Sequence, residues 1–142
     1  LDNIQNPSIH SLLSSKYHEA QMHRLNIHAE IPDPVIHNYL TDLDLAVVLG
    51  HLMDNAIDGA RKASEGFISL AYFDEEDCQS FIIESTIAEE QVPLSMMSTQ
   101  LPHPEGGIGV NAVQDILERY PNTSFSVRSQ NHKMMQILEM RP

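Results

Sequence analysis

Four polar residues stand in the most apolar stretch of the chain. His51, Asp54, Asn55 and Asp58 interrupt a run from Asp42 to Ala63 that carries Leu43, Leu45, Val47, Val48, Leu49, Leu52, Met53 and Ile57. On a helix, His51 and Asn55 are four apart and Asn55 and Asp58 three apart, so the three share a face. An asparagine offers a neutral carbonyl oxygen. That suits Mg²⁺, which takes one or two protein oxygens and completes its octahedron with phosphates and waters. The solvated stripe of an amphipathic helix would show the same residues, so the pattern alone leaves both readings open.

Gly106-Gly107-Ile108-Gly109 is the second feature with chemical promise. Glycines let a backbone approach phosphate closely, and a helix N-terminus beyond them favours negative charge. No Gly-Lys-Ser/Thr follows, so this is not a Walker A loop. The spacing does not fit the dinucleotide fingerprint either, where the glycines follow a strand directly. A flexible linker with a helix cap would read the same way.

The elements that position these residues follow from period and punctuation. Asn6-Pro7-Ser8 starts a helix that runs to Leu25, with Ile9, Leu12, Leu13, Tyr17, Ala20 and Met22 as its apolar residues. Asn26 to Ile31 alternates as a short strand, ended by Pro32-Asp33-Pro34. Thr41 or Asp42 caps the long helix, which Ser64-Glu65-Gly66 ends. Phe67 to Phe73 and Gln79 to Thr86 form a hairpin across the acidic turn Asp74-Glu75-Glu76-Asp77. Ala88 to Glu105 shows no period and holds Pro93, Pro102, Pro104 and the Ser95-Met96-Met97-Ser98 patch, as a functional or a disordered loop would. A helix from about Val110 to Tyr120 presents Val113, Ile116 and Leu117 to the core. Asn122 to Ser129 and Lys133 to Met140 close the chain as a hairpin. The order predicts an α+β two-layer sandwich, a mixed but mostly antiparallel sheet covered on one face by helices.

Composition narrows the partners. The 142 residues fit one domain, 1–142. Twenty acidic residues against eight basic ones give a net charge of −12. No basic face is available for general nucleic-acid binding or for anionic membrane surfaces. A polyanionic ligand would need positive potential from backbone N–H groups, helix N-termini or a divalent cation. Cys78 is the single cysteine, so no internal disulfide forms, which suits a reducing compartment. It follows an acidic turn with no basic partner and reads as structural. The eight histidines show no metal-ligand spacing, and the Met96-Met97 and Met134-Met135 pairs read as packing residues. No stretch reaches about 18 consecutive apolar residues. Leu1-Asp2-Asn3-Ile4 does not read as a natural start, so the chain is expected to be a piece of something longer.

Gly50-His51-Leu52-Met53-Asp54-Asn55-Ala56-Ile57-Asp58-Gly59-Ala60 resembles the N box of the GHKL ATPase superfamily, which includes gyrase, histidine kinases and MutL. Gly107-Ile108-Gly109-Val110 resembles its second glycine box, placed after a long lid. Asn6-Pro7, Ser11 to Tyr17, Ala20 and the strand from Asn26 resemble the region before the N box in sensor kinases of the accessory-gene-regulator type, which sense peptides in Gram-positive bacteria. The likeness spans nearly the whole chain.

This resemblance implies a catalytic ATP-binding domain that positions Mg·ATP for phosphoryl transfer to a histidine on a separate dimerisation domain of the same protein. Asn55 would hold the Mg²⁺ between the phosphates, and His51 and Asn55 would be the catalytic positions. Asp58, Gly59 and Lys62 would lie near the nucleotide, with Ser85 toward adenine. Gly106, Gly107, Ile108, Gly109 and Val110 would hinge the lid, about 88–105, and offer N–H groups to phosphate. ATP and Mg²⁺ are the implied cofactors. A response regulator is the implied partner, and the implied place is the cytoplasmic side of a membrane-anchored bacterial sensor, with no membrane contact by this domain. The sequence departs from the family at three points. His51 stands where hydrolysing members carry a general-base Glu, Glu84-Ser85-Thr86 replaces the first glycine box, and the lid has no Lys or Arg. His51 and Ser85 speak for a second function, a degenerate domain of the same fold that binds a partner without ATP.

Overall fold

The computed structural model describes residues 1–90 and 109–142. The expected lid falls almost wholly outside them, as do Gly106, Gly107 and Ile108.

Helix α1 spans Pro7–Met22. The Asn6 side chain caps it, accepting from Ser8 N at 2.9 Å and Ile9 N at 3.1 Å, and Pro7 occupies a position whose N–H would be unpaired anyway. The helix stops three residues before the expected Leu25. Arg24 adopts φ 60°, Leu25 N donates to Ala20 O at 3.0 Å, and Arg24 N donates to Gln21 O at 2.9 Å. This pairing satisfies the last carbonyls through a left-handed residue. Met22, expected on the apolar face, is 70% exposed.

Strand β1, Asn26–Glu30, leads to helix α2, Asp42–Lys62. Thr41 caps α2 through its Oγ1, which accepts from Asp44 N at 3.2 Å. Asp42 and Asp44 in the first turn and Arg61 and Lys62 in the last complement the helix dipole. Leu45, Val48, Leu49, Leu52, Met53, Ala56 and Ile57 are buried, whereas Leu43 is exposed despite its apolar neighbourhood.

Strands β2 (Phe67–Glu75) and β3 (Cys78–Thr86) form the expected hairpin, with a tighter turn than the sequence predicts. Glu75 pairs with Cys78. The turn is therefore Glu76-Asp77 alone, and Asp77 takes φ 59°. Helix α3 (Gly109–Glu118) precedes β4 (Thr123–Gln130) and β5 (Lys133–Met140). Their turn, Asn131-His132, has both residues at positive φ, as a two-residue hairpin turn with matching twist requires.

The five strands run in the order β1-β2-β3-β5-β4. Only β1 with β2 is parallel. The expected α+β sandwich with a mixed sheet is what forms. One sheet face is buried, by Ile68, Leu70 and Tyr72 on β2, Phe81 and Ile83 on β3, and Leu138 and Met140 on β5, which join the core of α1 and α2. The chain leaving β3 is held by the β4–β5 turn. Ile87 N donates to His132 O at 2.8 Å and His132 N donates to Glu90 O at 3.1 Å.

Candidate functional site

The polar residues of α2 part company in three dimensions. Asp54 faces α1 and pairs with Lys16 Nζ at 2.7 Å. It thus ties two helices together and is not part of the stripe that Asn55 belongs to. Burial works against the Lys16 ammonium, but the hydrogen bond and charge of Asp54, helped by Glu19, outweigh it and hold its pKa above the ordinary lysine value. Gly50, one turn earlier, lies on the same flank: a Cβ there would stand 3.7 Å from Leu12 Cδ1.

Asn55 faces the sheet. Its Nδ2 donates to Gln136 Oε1 at 3.2 Å. Gln136 Nε2 donates in turn to the main-chain carbonyl of Leu52 at 3.0 Å. Gln136 is completely buried at a core-facing position of β5, between Met134 and Leu138. Sequence reading missed it. A signal existed, because a glutamine in the apolar register of an alternating strand must find partners inside.

One turn beyond Asn55, Gly59 lies against the end of β3. A Cβ added there would meet Ile87 Cγ2 at 3.0 Å, Thr86 O at 3.4 Å and Ser85 Oγ at 4.0 Å. Glycine therefore lets α2 approach the chain at Ser85 closely. Ser85 is fully buried, and its Oγ has no hydrogen-bond partner among the described residues. A buried hydroxyl without a partner is costly, and it is the kind of group a ligand satisfies. Thr86 next to it is occupied structurally: its Oγ1 donates to Glu65 O at 2.8 Å and accepts from Phe67 N at 3.1 Å.

His51 is half-buried one turn before Asn55, and Asp58 and Lys62 are exposed on α2. Gly109 and Val110 open α3, where the helical backbone alone is described. Gly59 and Ser85 thus meet between α2 and β3, while Asn55, one turn earlier on α2, meets β5 through Gln136. Among the described residues no three of His, Cys, Asp and Glu gather to hold a metal. A cation at Asn55 would take most of its ligands from phosphate and water, as Mg²⁺ does.

A second polar cluster, also unforeseen, clamps the start of α2 to the end of α3. Tyr120 Oη donates to Asp44 Oδ2 at 2.6 Å and Arg119 Nη2 to Asp44 Oδ1 at 3.0 Å. The Tyr120 hydrogen bond lowers the Asp44 pKa below its ordinary value of 3.8; Thr41 and Arg119 assist, and burial opposes them. A depressed carboxyl pKa adds stability above the unfolded-state value, and that stability is lost as pH falls through the folded-state value. Asp44→Asn should cost about 1 kcal/mol at neutral pH, the worth of its hydrogen bonds. The difference from the unsubstituted chain should shrink as pH drops below 3.8. Urea denaturation at several pH values measures it, and a difference independent of pH would refute the assignment.

The profile of the GHKL domain family matches residues 40–141. No curated protein matches the chain. Among solved structures, the nucleotide-free catalytic domain of histidine kinase ThkA superposes with a TM-score of 0.77 at 13% identity, over 96% of this chain and 91% of that one. Histidine kinase AdeS of Acinetobacter baumannii gives 0.69 at 16% identity, over 94% of this chain and 62% of that one. ThkA in complex with response regulator protein TrrA gives 0.72 at 14% identity, over 96% of this chain and 40% of that one. At such identities the likeness speaks for the fold, which is that of histidine kinase catalytic domains. Among the described residues no helix is long and apolar enough to cross a membrane.

Proposed function

The chain belongs to the GHKL domain family, and from that premise we propose that it is the Mg·ATP-binding catalytic domain of a sensor histidine kinase. The observation that carries this reading is the face that α2 turns to the sheet. Asn55 meets Gln136 of β5 there, and one turn on the close-packed Gly59 lies against Ser85 of β3, whose buried hydroxyl has no partner among the described residues. Asn55 would hold Mg²⁺, and Ser85 would meet the exocyclic amine of adenine with its hydroxyl, which can accept as well as donate. His51, Asp58 and Lys62 would face the nucleotide from α2. Gly106 to Val110 would supply N–H groups at the start of α3, where the helix dipole favours phosphate. When bound, Mg²⁺ neutralises phosphate charge, and the protein's part in phosphoryl transfer is mostly positioning. His51 in place of a general-base Glu favours keeping the γ-phosphate for transfer over spending it on water.

The whole chain, 1–142, would act as this single domain, with residues 88–105 as its lid. The phosphoryl acceptor would be a histidine on a dimerisation helix pair of the same protein, and a response regulator would take the phosphate onward. The resemblance of the N-terminal third to accessory-gene-regulator-type kinases supports a peptide-sensing receptor, with this domain on its cytoplasmic side.

Thermal unfolding with and without Mg·ATP tests the proposal. Ligand at 100 times its dissociation constant should add about 2.7 kcal/mol of stability, a rise of several degrees for a domain of this size. An unchanged melting temperature at millimolar Mg·ATP would overturn it and return the degenerate, partner-binding reading.

A further inference from the structure

We propose that Gln136 is a positioning residue that decides which way the Asn55 amide points, and so which of its atoms is presented to a metal ion. The proposal rests on the Mg·ATP reading of the site.

The Leu52 carbonyl accepts only; its oxygen has a second lone pair beyond the one used within the helix. The Gln136 group 3.0 Å from it must therefore be the amide nitrogen. That choice turns Gln136 Oε1 toward Asn55, 3.2 Å away. Oε1 accepts only, so Asn55 must present its NH₂. The Asn55 carbonyl oxygen, the one atom of that side chain able to bind a cation, is then directed to the other side of the amide. Reversing Asn55 would set two acceptors face to face at a fully buried position, where nothing replaces the lost hydrogen bond. A backbone carbonyl of α2 thus fixes the orientation of a side chain on the same helix, relayed through a residue on β5. Partners that orient metal ligands typically change metal affinity about 10–100-fold when removed.

Three measurements on the chain as it stands test this. In the absence of nucleotide, NMR should show an Asn55 side-chain amide proton protected from exchange and in contact with the Gln136 amide. A freely exchanging Asn55 amide overturns the proposal without any variant. Next, ATP affinity is compared in Mg²⁺ and in chelator. Gln136→Met, which keeps the bulk and loses both hydrogen bonds, should weaken Mg·ATP binding about tenfold and leave binding in chelator unchanged. Equal weakening in both conditions would mean that Gln136 only supports the fold. Gln136→Glu should restore most of the Mg²⁺ dependence, because a buried, protonated carboxyl donates to Leu52 and accepts from Asn55. No restoration overturns the orienting role. If the unsubstituted chain shows no Mg²⁺ dependence, the nucleotide reading fails first, and the role of Gln136 in metal positioning falls with it.

Discussion

Asn55→Ala should abolish the Mg²⁺ dependence of ATP binding and weaken Mg·ATP affinity about a hundredfold, or about 2.7 kcal/mol. The size follows from the site. Among the described residues no three of His, Cys, Asp and Glu gather to hold a metal, and on the proposed reading Asn55 is the residue that holds the cation. The protein's hold on the cation would pass through one amide oxygen. Alanine also strips Gln136 Oε1 of its partner in a fully buried position. That loss should cost about 1–3 kcal/mol of fold stability. Affinities must therefore be measured well below the melting temperature, by calorimetric titration in Mg²⁺ and in chelator. The two conditions should converge for the variant and differ for the unsubstituted chain. A variant that keeps its Mg²⁺ dependence would place the cation elsewhere.

Much of the fold is legible in the sequence because local signals and tertiary packing agree. The long helix, the two hairpins and the last helix all lie within a few residues of where period and turn chemistry put them. Where the reading slipped, the cause is a specific backbone or a specific pair. Helix α1 ends early because Arg24 accepts a left-handed conformation, which no glycine announces. The acidic turn shrinks to two residues because Asp77 does the same. Leu43 is apolar yet exposed, since a first-turn residue can project past the layer the rest of the helix packs on.

The site is less legible than the fold, for a physical reason. Asn55 stands out because it is polar among apolar neighbours on its own helix. Its partner Gln136 is 81 residues away on a strand, and only the sheet register brings the two together. Asp44 is hidden in the same way: a first-turn aspartate suffices as dipole chemistry, and its contacts with Arg119 and Tyr120 come from the far end of the chain. Asp54 errs in the opposite direction. Its place beside Asn55 suggests the site, but one step along a helix turns a side chain by about 100°, and that step points it at Lys16.

Phe81→Ala should have the largest effect on stability, about 3–5 kcal/mol, a large part of the roughly 5–15 kcal/mol that holds a domain folded. Phe81 is fully buried on β3. It is flanked in register by Tyr72 on β2 and Leu138 on β5, so it lies in the middle of the sheet face that packs against the helices. Its ring meets Tyr72 edge to face, with centroids 5.5 Å apart and planes at 85°. Removing it leaves a cavity that the neighbours cannot readily close. Tyr72 already buries a hydroxyl without a partner among the described residues, and a shift of its ring into the gap gives that hydroxyl nothing to bond. Ser80→Ala, one residue away on the other face of the same strand, should change stability by less than about 0.5 kcal/mol. Urea denaturation should show a lower midpoint for Phe81→Ala at an unchanged slope, since the surface exposed on unfolding is the same. A cost near that of Ser80→Ala would mean that this sheet face is not the core. The contrast with Asn55→Ala separates scaffold from site. At a temperature where Phe81→Ala is still folded, its Mg·ATP affinity should match that of the unsubstituted chain, because Phe81 supports the layer beneath α2 and the polar contacts of Asn55 are made to β5.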